Sequence, residues 1–243
     1  MIRLLFVCSL LVVGGTLSAQ FNTETIPLNG AANLIVEAYL SKVELLPSSS
    51  GQLEVLHELY VNGEARPADC ELEINHTADG ITISELRPQI EELEESWSNE
   101  DNGQGDGNRL KARLLIKVPA GMKLRVETYY GMVHAEDVAS LEEVTSTYGE
   151  IELLYRNSRP AAEGLALSSE YGIIDLSLPG NINADVVLET NYGSLLTDFD
   201  IDINRAQSVG ESFHQEVVGT IGRGGARLSC RSPYSNVYLR QTK

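Results

Sequence analysis

The chain has 243 residues, 42% hydrophobic and 22% charged, with 21 Gly, 8 Pro and 3 Cys. That composition builds a core of one domain or two and argues against wholesale disorder, a collagen or a disulfide miniprotein. Acidic residues number 35 against 18 basic ones, a formal charge of −17, so a surface that tracks nucleic-acid phosphates or anionic headgroups is excluded, because either needs clustered Lys and Arg.

The first element is an address. Arg3 precedes an apolar run from Leu4 to Val13, and the small residues Thr16, Ser18 and Ala19 follow, which are the three regions of a secretory signal. The apolar run is shorter than the roughly 20 residues a bilayer-spanning helix needs, and no later segment is long and apolar enough. Cleavage is expected between Ala19 and Gln20. Cys8 lies inside the apolar run and away from that point, so no lipid anchor is predicted. The mature chain is expected to be soluble and exported: periplasmic, cell-surface or secreted. Cys70 and Cys230 would then meet an oxidising compartment. Two readings stay open for them, a disulfide or two small buried hydrophobes in alternating strands.

From Leu34 onward the pattern is that of strands. Leu34, Val36, Ala38 and Leu40, then Ser41, Val43 and Leu45, alternate inward and outward. Further strands are predicted at Leu53–Val61, Cys70–Asn75, Ile81–Leu86 and Leu110–Val118, with tight turns at Asn62-Gly63 and Asp79-Gly80. This region is expected to cap a stack of repeats. Residues 89–108 carry seven acids and no base and read as a solvated acidic loop. Within it Asp101, Asn102 and Asp106 invite a calcium reading, but Gly103 and Gly105 stand where an EF-hand frame places oxygen ligands. Trp97 is either the loop's anchor or an exposed contact.

After Pro119 a repeat takes over. Five segments place Tyr130-Gly131, Tyr148-Gly149, Tyr171-Gly172, Tyr192-Gly193 and Tyr234-Ser235 in one frame, and half of the ten tyrosines fall in it. Four residues before each Tyr stand Val126, Val144, Leu167, Leu188 and Cys230. Two before stand Thr128, Ser146, Ser169, Thr190 and Ser232. Three after, the residue is always apolar. The Tyr spacings are 18, 23, 21 and 42, the last, twice 21, suggesting a missing or degenerate coil around Phe213. Alternation puts the apolar residue, the hydroxyl and the Tyr on one face of a strand, and Gly is expected at the bend because it takes positive φ without steric cost. The fold predicted is all-β: a right-handed parallel β-solenoid with coils of about 20 residues, an internal tyrosine ladder and a less regular N-terminal β cap. Residues 1–19 are then the signal and 20–243 one domain, with irregular coils over 20–118 and regular coils over 119–243.

Catalytic signatures are few. There is no G-x-S-x-G elbow, P-loop, C-x-x-C or H-E-x-x-H; His57-Glu58 is followed by Val61 where the second His belongs. Gly222, Gly224 and Gly225 precede a strand pattern and not the helix a dinucleotide loop relies on. One constellation stands out: four residues after the repeat Tyr, neighbouring coils carry His134, Glu152 and Asp175. Stacked, such a column is either a polar strand edge or a metal or acid–base site. No catalytic residue is assigned beyond these three, and no cofactor or metal is predicted.

Leu115-Ile-Lys-Val-Pro119-Ala-Gly-Met-Lys-Leu-Arg-Val-Glu-Thr128, the serial hydroxyl-x-Tyr-Gly turns, and the closing Ile221-Gly-Arg-Gly-Gly-Ala-Arg-Leu-Ser-Cys-Arg-Ser-Pro-Tyr-Ser-Asn-Val-Tyr-Leu239 resemble a bacterial family of exported β-strand-repeat proteins. These are classed as putative adhesins of unknown function, similar to the GIN auto-transporter adhesin head domain. The resemblance covers most of residues 30–243. It implies a right-handed parallel β-solenoid, an envelope or surface location and no established catalytic residues. The function expected is a non-catalytic interaction module presenting a solenoid face to an envelope protein or glycan, with weak self-association through the solenoid ends. The alternative is a carbohydrate-active or metal-dependent β-helix enzyme using His134, Glu152 and Asp175.

Overall fold

A computed structural model describes residues 21–66, 72–78, 80–86, 110–211 and 213–242. The signal segment, Cys70, Trp97 and the acidic loop with its calcium reading lie outside them. Among the described residues there are twenty-one strands and no helix.

Two sheets face each other. Along the first, the order is β1 (Glu24–Ile26), β4 (Leu53–Val61), β8 (Leu110–Val118), β3 (Lys42–Pro47), β10 (Val133–Glu136), β12 (Ile151–Leu154), β14 (Ile174–Pro179), β21 (Val237–Thr242) and β16 (Leu195–Thr197), with β5 (Glu64–Ala65) beside β4. Along the second it is β6 (Leu72–His76), β7 (Gly80–Glu85), β2 (Asn33–Ala38), β9 (Lys123–Thr128), β11 (Leu141–Ser146), β13 (Leu165–Ser169), β20 (Ala226–Arg231), β15 (Ala184–Thr190), β19 (His214–Ile221) and β17 (Ile201–Ile203), with β18 (Val209–Glu211) beside β19.

The repeat explains this arrangement. In six strand pairs, from β2–β3 to β20–β21, the chain leaves the second sheet and enters the first across a short corner. Equivalent residues of neighbouring pairs lie side by side in parallel register: Val126 with Val144, Val144 with Leu167, Leu167 with Cys230, and Cys230 with Leu188. These side chains point between the sheets and are buried, as are Val133, Ile151, Ile174 and Val237 beyond the corner. Each fully buried aliphatic side chain contributes about 1.5–3 kcal/mol, and their columns form one continuous core.

The all-β expectation holds, and several strand bounds match closely, Leu53–Val61 and Leu110–Val118 among them. The Asn62-Gly63 turn is present with both residues at positive φ (51° and 82°), as a two-residue hairpin of this hand requires. The sheets differ from a uniform parallel stack in being mixed. At one end β4 runs antiparallel to β8, β1 to β4, and β6 to β7; at the other, β19 runs antiparallel to β15, and β17 and β18 to β19. Antiparallel strands thus flank the parallel middle at both ends of the second sheet and at one end of the first, whose other end is the short strand β16; a short edge limits the unpaired backbone it exposes.

The spatial order of the coils departs from the sequence order. The last strands, β20 and β21, are inserted between the pairs carrying Tyr171 and Tyr192. The 42-residue interval therefore holds no missing coil. It holds the antiparallel strands β17, β18 and β19 at that end of the second sheet, after which the chain returns into the stack. The coil carrying Ser235 in place of Gly is internal as well.

Candidate functional site

At five of the six corners the last inward residue is a small hydroxyl, Thr128, Ser146, Ser169, Thr190 or Ser232, all buried, and at the β2–β3 corner Ala38 takes that place. Three of the hydroxyls fasten one coil to the next. Thr190 donates to the Ser235 carbonyl, Ser169 to that of Gly149 and Ser232 to that of Gly172, each at 2.9 Å, while Thr128 closes its own corner on Gly131 O at 3.0 Å. Gly172 N and Gly193 N donate back to Ser169 and Thr190 at 3.0 Å. Ser146, at the same position, has no partner for its Oγ.

The role expected of the corner glycines is corrected here. Gly131, Gly149, Gly172 and Gly193 are not among the residues with positive φ. Glycine is required because the coils approach so closely that a β-carbon would overlap the backbone carbonyl of the neighbouring corner: Ser41 O at Gly131, Gly131 O at Gly149, Gly149 O at Gly172 and Ser235 O at Gly193.

The tyrosines are corrected too. Strand alternation stops at the hydroxyl, so the Tyr two residues later lies in the turn and points outward. Tyr130, Tyr148, Tyr171, Tyr234 and Tyr192 are 46–64% exposed. They form an external ladder in that order, with ring centroids 5.2, 5.0, 5.0 and 5.4 Å apart and planes within 8–17° of parallel. These centroid distances exceed the roughly 3.5–4.0 Å of direct ring contact, so the rings are offset and each leaves part of its surface open. Phe213, 69% exposed, continues the row at 5.9 Å from Tyr192. At the other end Tyr129 packs edge-on against Tyr130 and stacks on the buried Tyr39. The corner amides hold the rungs in place: Tyr130 N, Tyr148 N, Tyr171 N, Tyr192 N and Tyr234 N each donate to a carbonyl of the neighbouring coil at 2.8–3.2 Å.

At Tyr39 that column ends, and a buried acid replaces the missing coil. Glu85, the last residue of β7, accepts from Tyr39 N at 2.8 Å, from Leu40 N and Ser41 N at 3.0 Å, and from Ser41 Oγ. The three amides meet Oε2, whereas Ser41 Oγ and His57 Nε2, the latter at 3.1 Å, share Oε1. Burial opposes the charge, but the hydrogen bonds from His57 and Ser41 outweigh it and hold the carboxyl down at about 2. Sequence reasoning missed Glu85 and His57, since nothing local marks a strand-end acid as the cap of a distant corner. Ala38 pairs with Thr128, so Leu40 stands at the repeat-Tyr position of this corner, and the neighbouring Tyr39 supplies the aromatic contact.

The structure brings His134, Glu152 and Asp175 side by side on neighbouring strands of the first sheet. His134 Nδ1 is 2.9 Å from Glu152 and its Nε2 3.4 Å from Glu136. Asp175 turns instead to Arg240, at 3.2 Å. Burial raises the Asp175 carboxyl above its ordinary range, Arg240 opposing, and its Oδ1 is buried without a partner. Among the described residues no three His, Cys, Asp or Glu side chains group as metal ligands. Cys230 is buried, and burial pushes its thiol up to about 12; its pairing with Cys70 falls outside the described residues.

With this geometry in view, known structures supply a counterpart. The fold resembles that of a "putative cell adhesion protein" from Clostridium sporogenes. The TM-score is 0.58 at 11% identity, over 92% of this chain and 99% of the other. At that identity the likeness is one of fold. A "putative adhesin" from Bacteroides fragilis aligns over 93% and 98% of the two chains with 9% identity and a TM-score of 0.30. No protein-family model matches the chain, and no curated protein does.

Proposed function

We propose that this chain is a non-catalytic, adhesin-like interaction module of the cell envelope or the secreted medium, in which the parallel middle of the two sheets acts as a short β-solenoid and presents its tyrosine corner to a protein or glycan. The observation that carries this reading is the external ladder. Five aromatic side chains in one row are a large exposed apolar feature for a protein surface, and such features mark interaction sites. The signal-like N-terminus and the likeness of fold to the Clostridium sporogenes "putative cell adhesion protein" support the same reading. The test is to screen residues 20–243 against arrays of glycans and of extracellular-matrix proteins, beside the variant Tyr148→Ala/Tyr171→Ala/Tyr234→Ala. Binding that the triple variant loses while its circular dichroism is unchanged supports the module; absence of any ladder-dependent binding on either array rejects it.

A second reading, an enzyme built on His134, Glu152 and Asp175, is favoured by one observation: the unpartnered Asp175 oxygen beside Glu152. Calorimetric titration with zinc and with calcium, repeated on Glu152→Gln, tests it. A saturable heat lost in the variant supports this reading, and no heat removes its metal form.

A further inference from the structure

The ladder's repeat, charge and width narrow the choice of partner. Ring centroids recur every 5.0–5.4 Å along a row set by strand stacking. A ligand that meets every rung needs the same repeat. A second copy of this chain has it, but five half-exposed rings offer on the order of several hundred Å², below the roughly 800 Å² per partner of a stable interface. Two chains of charge −17 also repel. A polyproline helix advances about 9 Å per three-residue turn, short of two rungs, so it drifts out of register along the row. An extended chain of β-linked hexoses rises by nearly one strand spacing per sugar and keeps register from Tyr130 to Tyr192.

The chemistry agrees. The C–H face of a pyranose ring is apolar and stacks on aromatic surface, and its rim of hydroxyls needs acceptors and donors. Tyrosine hydroxyls line the row, and Glu150 and Glu170 stand beside the Tyr148 and Tyr171 rungs in the corners that carry them. These carboxylates repel uronic acids and other anionic sugars. The rungs are preordered by stacking and by the corner hydrogen bonds, so little side-chain entropy is lost on docking.

We propose that the tyrosine ladder is a docking track for an extended, uncharged β-linked hexose polysaccharide lying along the stack, one sugar to a rung. The proposal rests on the interaction-module reading and specifies its partner. Isothermal titration of residues 20–243 with cellohexaose and chitohexaose tests it, with maltohexaose, whose α-links coil the chain, and the anionic hexagalacturonate as controls. Saturable binding of at least one extended neutral hexasaccharide is expected, with neither control binding. Tyr148→Ala and Tyr171→Ala should each weaken it by about threefold to tenfold, the range of a lost aromatic contact. Leu196→Ala, at an exposed site off the ladder, should leave it unchanged. Binding that survives both Tyr variants, or equal binding of maltohexaose, overturns the track. Ladder-dependent capture of a matrix protein with no sugar bound overturns the glycan and keeps the module, whereas no ladder-dependent binding at all removes both.

Discussion

The carbonyl oxygen of Gly149 occupies the space that a side chain on Gly172 would need. The same relationship joins Gly131 to Gly149 and Ser41 to Gly131, so the corners form a column of backbone contacts with no room for a methyl group. Gly172→Ala must push two coils apart against the paired strands on both sides. Overpacking of a core costs about 1–3 kcal/mol, and a backbone obstacle puts this variant at the top of that range. Gly121 is the control: its φ is 82° and nothing lies within 4 Å of a β-carbon there, so Gly121→Ala carries only the left-handed backbone cost of about 1–2 kcal/mol. Urea unfolding followed by circular dichroism checks the order; a Gly172→Ala midpoint equal to that of Gly121→Ala contradicts the close-approach account.

Glu85 makes stability depend on pH. Its carboxyl lies at about 2 in the folded chain against 4.5 for a free side chain. A depressed acid adds stability that is fully present above the unfolded value and is lost as pH falls through the folded one. The shift corresponds to about 3 kcal/mol, taking about 1.4 kcal/mol per unit. The wild-type chain should therefore lose stability between pH 4.5 and about 2, and Glu85→Gln should be less stable at pH 7 and flatter across that window. Urea midpoints for both proteins at pH 7, 4.5, 3.5 and 2.5 give the comparison. Parallel curves would show that other acids govern the acid limb.

The repeat made much of this fold legible before any coordinates. The inward columns through Val126, Val144, Leu167, Leu188 and Cys230 and the corners at the Tyr-Gly pairs follow from period-two alternation and its break. Alternation could not tell where within the corner the phase changes. The change falls before the Tyr, so the ladder is external where an internal one was expected. Order along the stack was hidden for another reason. Equivalent coils carry equivalent residues, so the register that places Leu228 beside Leu165 and Val186 would also suit other neighbours. Of the candidate sites, the His134, Glu152 and Asp175 column was visible from spacing alone, whereas Glu85 and His57 meet a corner 44 and 16 residues away in sequence from Ser41.

Cys230 should be inert. Its thiol is buried within a column of leucines and burial pushes it up to about 12, whereas the reactive species is the thiolate. In reducing buffer at pH 8, iodoacetamide should leave the Cys230 peptide unmodified in the native chain and label it fully in urea, as read by mass spectrometry. Cys230→Ser should destabilise by about 1–3 kcal/mol, because a buried hydroxyl loses its water partners. Rapid native labelling would mean that the middle of the stack opens at that coil.

The insertion of β20 and β21 in mid-stack separates this chain from a simple array of repeats. In an array each unit contacts only its neighbours, and deleting the last unit shortens the stack by one. Here the last strands lie between β13 and β15 in one sheet and between β14 and β16 in the other, and they carry the buried Leu228, Cys230, Val237 and Leu239. Ending the chain at Gly225 removes an internal rung, Tyr234, together with the hydrogen bond from Ser232 to Gly172, and leaves β15 and β16 with no parallel partner. Such a truncation should abolish cooperative unfolding of the C-terminal half. Starting the chain at Leu28 instead takes away, among the described residues, the three-residue edge strand β1 with its buried Ile26 and the contact of Phe21 with Tyr60, and should lower the melting temperature by a few degrees. Differential scanning calorimetry of the two truncated chains distinguishes these outcomes; a cooperative melt near the full-length temperature for the chain ending at Gly225 would show that the stack closes without its last coil.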